Sequence, residues 1–252
     1  MKTINLQPSL GILLQCFLRT YLVGASFNTR GLQNVGMAYA MDPGLKKFYS
    51  DPKQLRQARK RYLKIYNTHP FWSPLFVGCF LFLESRIAKG LFSAGSFNNV
   101  KQTVTYTLSA IGDSFFGGSL LVFWSLSTCC LLVYELKVLA WSWLIFLFLA
   151  LQVFKICTFW WGFRQGLGFL QRLQKWRLID WGGRIKVANA ILVLILWYAI
   201  YPFSFHPALF SLWTALVGLI AWAVTSNFLP RSVLALVLAG GLWGWTWLSA
   251  LW

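Results

Sequence analysis

Acidic side chains and histidines are scarce in this sequence, and that scarcity limits the chemistry it can perform alone. Its 252 residues include 6 Asp and Glu together and 2 His. No GxSxG elbow accompanies them, so a hydrolytic triad is disfavoured. GxGxxG and P-loop motifs are missing as well, which argues against a nucleotide cofactor. We therefore expect no autonomous catalytic site and no cofactor.

The 5 cysteines do not form the pattern of a disulfide framework or a zinc site. There is no CxxC pair, and no Cys/His cluster has the spacing of metal ligands. Cys129 and Cys130 are adjacent inside an apolar run. Buried free thiols and no bound metal are the expectation.

Apolar side chains are abundant instead. Hydrophobic residues make up 58% of the chain and charged residues 12%, against about 25% charged in soluble globular proteins. A soluble fold of this size would expose large apolar patches. The composition therefore predicts an all-α integral membrane protein.

The positive charge, +17 in total, is concentrated in two runs. Residues 46–64 hold eight Lys and Arg, and residues 164–186 hold six more. Each run lies between apolar stretches, as cytoplasmic segments beside anionic lipid do. No recognised nucleic-acid-binding motif is present, so a nucleic-acid partner is not expected.

The N-terminal part, residues 1–64, reads as helices of the cytoplasmic face. Apolar residues in the first 24 positions recur at spacings of three and four, which predicts an amphipathic helix on the membrane surface or a partner. A polar stretch rich in glycine follows at residues 26–39. The sequence Asp42-Pro43-Gly44 is interpreted as a break before a basic helix that reaches Lys64.

The central part, residues 65–186, is predicted to combine short arms with full crossings. Residues 71–83 would extend about 20 Å as a helix, short of the ~30 Å hydrocarbon core. We interpret them as a re-entrant or half-crossing arm, with residues 104–111 as the returning arm. Full crossings are predicted at 115–134 and 138–163.

The C-terminal part, residues 187–252, is predicted to add crossings at 187–203, 209–229 and 233–252. With both basic runs in the cytoplasm, this polytopic bundle puts Arg231 inside and the C-terminus outside. The GxxxG pairs Gly162/Gly166 and Gly240/Gly244 would let helices approach closely.

Polar residues cluster where hydrocarbon should discourage them, which marks them as candidates for function. They form three groups and one isolated carboxylate: Asn28, Arg30, Gln33 and Asn34; Asn67, Thr68 and His69; Asp113 and Ser114; and Glu84. Structural alternatives remain for each. Asp113 could cap a helix beginning at Phe115, the asparagines could cap or form turns, His69 could bond a carbonyl or anchor the interface, and Glu84 could mark emergence into the headgroups. Arg30 could pair with lipid phosphate or with a substrate.

Amides and carboxylates of this kind can hydrogen-bond the hydroxyls of a sugar. An aromatic ring such as Trp72 or Phe71 could then cover an apolar sugar face. The candidate substrate-binding or translocation residues are Asn28, Gln33, Asn34, Asn67, His69, Glu84, Asp113 and Ser114.

The motifs, in their order and spacing, resemble a known family. Residues 26–28 and 32–40 (SFN and LQNVGMAYA), 67–70 (NTHP) and 110–114 (AIGDS) are similar to the signatures of the IID component of mannose-class sugar phosphotransferase systems. The resemblance covers roughly residues 17–185. Ala110 stands where that family commonly has glycine, and Glu84-Ser85 stands where it commonly has an acidic pair.

The resemblance implies a membrane subunit of a phosphoenolpyruvate-dependent system in the bacterial cytoplasmic membrane. Such a subunit forms the sugar translocation unit with a IIC subunit, in assemblies of several copies. Soluble IIA and IIB proteins relay phosphate to the incoming hexose or hexosamine, so the phosphohistidines lie on partners and His69 is not a phosphocarrier. Elevator-like movement of a core domain is also implied.

Two other readings stay open from the sequence. The relaxed motifs are compatible with a scaffold or regulatory membrane subunit descended from the same family. His69 and Asp113 could alternatively serve as base and orienter in a lipid-modifying membrane enzyme.

Overall fold

The computed structural model describes residues 7–201 and 206–226, with isolated positions 232, 233, 236, 239 and 240 beyond them. These residues are helical almost throughout, and their extended pairing is limited to two isolated bridges. The α-helices are α1 (Leu10–Arg19), α2 (Asn34–Phe48), α3 (Pro52–Tyr62), α4 (Ser73–Ala88), α5 (Ala94–Gly112), α6 (Leu121–Val133), α7 (Lys137–Gln165), α8 (Leu167–Gln174), α9 (Leu178–Ala199) and α10 (Pro207–Thr225). The prediction of an all-helical protein is confirmed for this part of the chain.

The first helix is shorter than the sequence suggested and exposes apolar side chains. Ser9 caps α1 by accepting a hydrogen bond from the Ile12 amide at 3.4 Å. Leu13, Cys16 and Phe17 face the protein interior. The outer side carries exposed leucines beside Gln15, so leucines interrupt the polar side expected of an amphipathic surface helix. Two single turns of 3₁₀-helix, Thr20–Leu22 and Gly24–Ser26, follow it.

The predicted break at Asp42-Pro43-Gly44 is wrong, because α2 continues through Pro43 to Phe48. Packing outweighs the lost backbone hydrogen bond. Gly44 lets α4 approach so closely that a Cβ there would lie 2.2 Å from Leu81 Cδ2. Asp42 also pairs with Lys46 at 3.0 Å and with Arg59 of α3 at 2.6 Å. The basic helix is α3, which Asp51 caps and Pro52 begins.

The core lies where α4 packs against α7. Eleven of the 16 residues of α4 are buried. A Cβ at Gly78 would lie 2.2 Å from the Phe159 carbonyl oxygen, and one at Gly162 would lie 2.8 Å from that of Leu75. Gly162 therefore has the close-packing role expected of the first GxxxG pair.

Residues 104–111 are not a returning arm. They belong to one continuous helical stretch, Ala94–Val133, of 40 residues. Within it, Asp113–Leu120 forms a π-helical segment between α5 and α6. Asp113 has helical dihedral angles (φ −63°, ψ −42°), so it does not cap a new helix at Phe115. The hydrogen bonds of a π-helical turn span one residue more than those of an α-helix, so the helix widens at this segment and continues without a break.

Two helical stretches, Ala94–Val133 and Lys137–Gln165, are long and apolar enough to cross a membrane. The second agrees with the crossing predicted at 138–163. In an apolar stretch of 18 residues within this helix, only 11% of the residues are buried inside the protein. Val138, Trp141 and Phe146 are exposed. The buried helix of a soluble protein would not show this exposure, so lipid is the natural surrounding of α7.

The remaining crossings are tested only in part. Helix α9 begins inside the second basic run, nine residues before the predicted start at 187. Helix α10 overlaps the predicted crossing at 209–229 and belongs to a separate compact unit that begins at Ile200. Most of the predicted crossing at 233–252, with Arg231 and Gly244, lies outside the described residues. The division at 64 and 186 remains a prediction.

Candidate functional site

A tight loop at residues 26–34 is closed by Asn28. The backbone of Asn28 exchanges two 2.9 Å hydrogen bonds with that of Leu32. Its side-chain oxygen accepts from the amides of Arg30 and Gly31, and its amide nitrogen donates to the Leu32 carbonyl. Leu32 is held at φ +59°, a conformation that costs a residue with a Cβ about 1–2 kcal/mol. Strained backbone of this kind tends to occur at functional sites.

The next segment of the chain brings this loop to the NTHP motif. Gln33 is buried, and its side-chain oxygen accepts a 3.1 Å hydrogen bond from the Thr68 amide. Its own backbone amide donates to the Tyr66 carbonyl at 2.8 Å. Asn34 donates to the Leu63 carbonyl at 2.6 Å and accepts from Asn28. Hydrogen bonds thus connect the loop at residues 26–34 to residues 63–68, about 30 positions later in the sequence.

His69 links the NTHP motif to the π-helical segment. Its ring stacks on Phe71 and Phe116, with ring centroids 5.4 Å and 5.2 Å away. The backbone of Gly112 lies so close that a Cβ there would be 2.7 Å from the His69 Cβ. Burial lowers the pKa of His69, the Asp113 carboxylate partly opposes this shift, and Lys155 adds to it. The imidazole therefore favours its neutral form.

Asn67, Asp113 and Ser114 present exposed side chains at the same junction. The Asn67 carbonyl accepts a 2.8 Å hydrogen bond from the Ser109 hydroxyl of α5. Within residues 7–201, the Asp113 carboxylate makes no ion pair or hydrogen bond, so it can accept hydrogen bonds from a ligand. We call the assembly of residues 28–34, 66–72 and 109–117 the motif junction.

Several buried polar atoms at the motif junction lack a partner. Among the described residues, the Tyr66 hydroxyl, the Thr68 hydroxyl and the Trp72 indole NH make no hydrogen bond, and the same holds for the Thr105 hydroxyl of α5. Buried polar groups are almost always paired, so each such group calls for a ligand or a water. Tyr66 and Thr105 also line a cavity of about 160 Å³, together with Asn67 and Ser109.

Glu84 lies in a different place, inside a fully paired polar network. Its carboxylate is completely buried and accepts hydrogen bonds from Tyr49 (2.7 Å), Tyr62 (2.9 Å) and Arg61 (2.5 and 3.0 Å). It is therefore not at a point of emergence into headgroups. Burial and the adjacent Glu84 carboxylate raise the pKa of Tyr49 and of Tyr62. Lys101 donates to the Arg61 carbonyl at 2.5 Å and completes the set, which we call the Glu84 network.

The structure corrects the sequence reading of the aromatic residues and adds a cation. Trp72 is fully buried against Phe116 and Phe154, so it cannot cover a sugar face in this conformation. Lys155 interrupts the apolar run of residues 138–163. Its ammonium lies 4.9 Å from the Phe71 ring centroid and 4.4 Å from that of Tyr21. A charge within a spanning helix was the signal that could have identified it.

Arg30, by contrast, is exposed on the loop, and its backbone amide donates a hydrogen bond to the side-chain oxygen of Asn28. Within the described part of the chain, no group of three His, Cys, Asp or Glu side chains is arranged to hold a metal ion.

The described residues form helices with exposed apolar faces and a polar junction against a π-helical segment, which is the architecture of an all-helical membrane protein. A family model described as the PTS system mannose/fructose/sorbose family IID component matches residues 11–201. The chain belongs to this family.

The mannose-specific EIID component of Escherichia coli (strain K12) is 32% identical to this chain over 105 residues. The matched segment covers 41% of this chain and 37% of that relative. The similarity thus spans well under half of the relative's length.

Two solved structures share the fold over nearly the whole chain. A membrane protein structure superposes with a TM-score of 0.73 at 19% identity, covering 97% of this chain and 98% of its own. The cryo-electron microscopy structure of the mannose transporter ManYZ in complex with microcin E492 superposes with a TM-score of 0.56 at 18% identity, covering 95% and 97%.

Proposed function

We propose that this chain is a IID-type membrane subunit of a phosphoenolpyruvate-dependent sugar phosphotransferase system. In this role it forms the sugar translocation unit with a IIC subunit, and IIA and IIB proteins phosphorylate the incoming sugar. Family membership supports the proposal. The single observation that carries it is the motif junction, where three polar motifs meet beside buried hydroxyls that have no hydrogen-bond partner in the part of the chain that the structure describes.

The residues of the motif junction divide into two roles. The side chains of Asn28, Gln33 and Asn34 form hydrogen bonds with backbone groups, so these residues stabilise the loop. Asn67, Asp113 and Ser114 are exposed and offer donors and acceptors to the hydroxyls of a hexose or hexosamine. The Asn67 amide and the Ser114 hydroxyl can both donate and accept hydrogen bonds, and the Asp113 carboxylate can accept them from two adjacent sugar hydroxyls.

His69 connects the two roles. Its neutral ring is fixed between Phe71 and Phe116 and lies against the π-helical segment. A neutral imidazole can both donate and accept a hydrogen bond, which suits a sugar hydroxyl. The transferred phosphate resides on partner proteins, so His69 binds or orients and does not carry phosphate.

Glu84 is proposed to support the site rather than to contact sugar. Its carboxylate is occupied by three side chains and closes α2, α3 and α4 onto one another. The Tyr66 and Thr68 segment begins directly after α3. The Glu84 network therefore holds the frame on which the NTHP motif is mounted.

The chain is proposed to lie in a bacterial cytoplasmic membrane as a multi-pass subunit, in a hetero-oligomer of several copies. The basic runs at 46–64 and 164–186 would face the cytoplasm and help to receive IIA and IIB. Residues 71–83, which run from just before α4 into its first eleven residues, would form a half-crossing arm shielded by α7.

The test is sugar uptake in cells that express the chain together with its IIC, IIA and IIB partners. Asp113→Asn and His69→Ala should abolish uptake of a hexose and hexosamine panel while membrane insertion stays normal. Asp180→Asn and His206→Ala are matched controls at exposed positions and should leave uptake unchanged. Normal uptake in both junction variants would refute the site, and a wild-type complex without uptake would favour the scaffold subunit.

A further inference from the structure

A groove with purely apolar walls runs along the outside of α1 and α7. Its volume is about 510 Å³. Leu10, Leu14 and Phe17 line it from α1, and Ile156, Cys157 and Trp161 line it from α7. None of these side chains carries a charge or a hydroxyl. Alone, such a groove would accept any apolar chain or helix face.

A second cavity of about 540 Å³ adjoins this groove, and its lining is partly cationic. Leu10, Leu13 and Trp160 line both cavities and form their common wall. The second cavity adds three exposed cations, Arg86, Lys89 and Arg164. They lie where α4 and α7 both end and where the second basic run begins.

The three cations are available to a ligand. Among the described residues, none of them forms an ion pair with a carboxylate, and no Asp or Glu lines either cavity. Two of them are held by aromatic rings: the Arg86 guanidinium carbon lies 4.9 Å from the Phe82 ring centroid, and that of Arg164 lies 4.7 Å from the Trp160 ring centroid. Stacking orients a guanidinium and leaves its N–H donors at the edge free.

We propose that this pair of cavities is a binding site for one anionic phospholipid. Arg86, Lys89 and Arg164 bind the phosphate of the headgroup, and an acyl chain lies in the groove between α1 and α7. A cationic cavity that adjoins an apolar groove matches a molecule that joins a phosphodiester to hydrocarbon chains. Basic pockets at the cytoplasmic ends of membrane helices bind anionic headgroups in this manner.

Charge complementarity distinguishes this occupant from a zwitterionic lipid. A choline headgroup would bring a quaternary ammonium next to three cations, whereas a glycerol headgroup leaves the phosphate charge uncompensated. Three contacts of this kind should favour phosphatidylglycerol over phosphatidylcholine with the same acyl chains by at least about tenfold.

The experiment is native mass spectrometry of the full-length chain, purified in mild detergent with the subunits that accompany it. Phosphatidylglycerol and phosphatidylcholine with identical acyl chains are titrated in parallel. The variant Arg86→Gln/Lys89→Gln/Arg164→Gln should lose the preference for phosphatidylglycerol. The variant Lys53→Gln/Arg56→Gln/Lys60→Gln removes the same charge from exposed positions of α3 and should keep it.

Two further arms separate a lipid site from a plain anion site. Phosphatidylglycerol with six-carbon chains should bind at least about tenfold more weakly than the long-chain lipid, because it leaves most of the groove empty. Inorganic phosphate at equal concentration should not displace the long-chain lipid. Equal binding of both headgroups, a preference retained in the α4/α7 variant, or displacement by phosphate would each overturn the proposal.

Discussion

The Glu84 network and the motif junction both contain buried polar groups, but they differ in whether those groups have hydrogen-bond partners. In the network, Glu84 receives hydrogen bonds from Tyr49, Arg61 and Tyr62. At the junction, Thr68 and Trp72 bury polar atoms without a partner among the described residues. A satisfied cluster rigidifies a fold, while an unsatisfied one costs stability and persists where a ligand or water completes it. We therefore assign a structural role to the Glu84 network and a ligand-binding role to the motif junction.

The largest expected effect is at the centre of the network. Glu84→Gln removes the fully buried counter-charge of Arg61, which is itself partly buried, and removing one partner of a buried pair costs about 3–5 kcal/mol. The free energy of unfolding in mixed detergent micelles should fall accordingly. Glu135→Gln removes an exposed partner of Lys137 and should change it little. Similar losses in the two variants would contradict the assigned role of burial.

A smaller effect is expected where the π-helical segment meets the NTHP motif. In Gly112→Ala the new Cβ would lie 2.6 Å from Trp72 Cδ1 and 2.7 Å from His69 Cβ. Overpacking of this kind costs about 1–3 kcal/mol and should displace His69. We expect lower thermal stability and lower sugar uptake together.

Gly117→Ala is the matched control, because its nearest atom, His69 Nε2, would be 3.9 Å away. Its stability and uptake should stay near those of the wild type. If Gly112→Ala behaves as Gly117→Ala does, the close contact between the two motifs is not as the structure describes it.

The third prediction tests whether the unpaired atoms serve function rather than folding. Thr68→Val removes a buried hydroxyl that has no hydrogen-bond partner among residues 7–201, so stability should stay constant or rise while uptake falls. Thr158→Val removes a buried hydroxyl that bonds the Phe154 carbonyl at 2.8 Å. It should lose about 0.5–1.5 kcal/mol of stability and keep its uptake. The opposite pattern would reverse the assignment.

The smallest effect is a pH dependence at His69. Burial lowers the pKa of His69 below its ordinary 6.5, so the unfolded chain takes up a proton before the folded one does. The contribution of the neutral ring is complete above pH 6.5 and is lost as the pH falls toward the lowered pKa. Melting temperatures between pH 7.5 and 5.5 should therefore decline less in His69→Gln than in the wild type. An identical decline would show that other groups dominate.

The same comparison shows how far the sequence could be read. The sequence identifies the motif residues from their types and order: Asn28, Gln33, Asn34, Asn67 and His69. In the structure, hydrogen bonds made by the side chains of Asn28, Gln33 and Asn34 join the loop to the segment at residues 63–68. The long helix α7 agrees with the apolar run that predicted it. These features are encoded by residues that are close together in the sequence, so they can be predicted without the tertiary structure.

The errors arose where packing overrode a local preference. Pro43 and Gly44 predict a break, but α2 continues because Gly44 admits Leu81 and Asp42 pairs across to α3. Asp113 has the composition of a cap, yet it lies inside a π-helical turn of a 40-residue helix. Glu84 shows the same limit, because its three donors come from residues distant in sequence.

By itself, the sequence determined the helical membrane class, the cationic surface and the identity of the motif residues, because composition and short-range periodicity are properties of the chain alone. Only the tertiary structure decided which polar groups are satisfied. Whether Glu84 meets Arg61, whether Thr68 is left unpaired, and whether Arg86 and Arg164 flank an apolar groove depend on contacts between helices. Those contacts are set by shape and burial in three dimensions, and local residue types do not encode them.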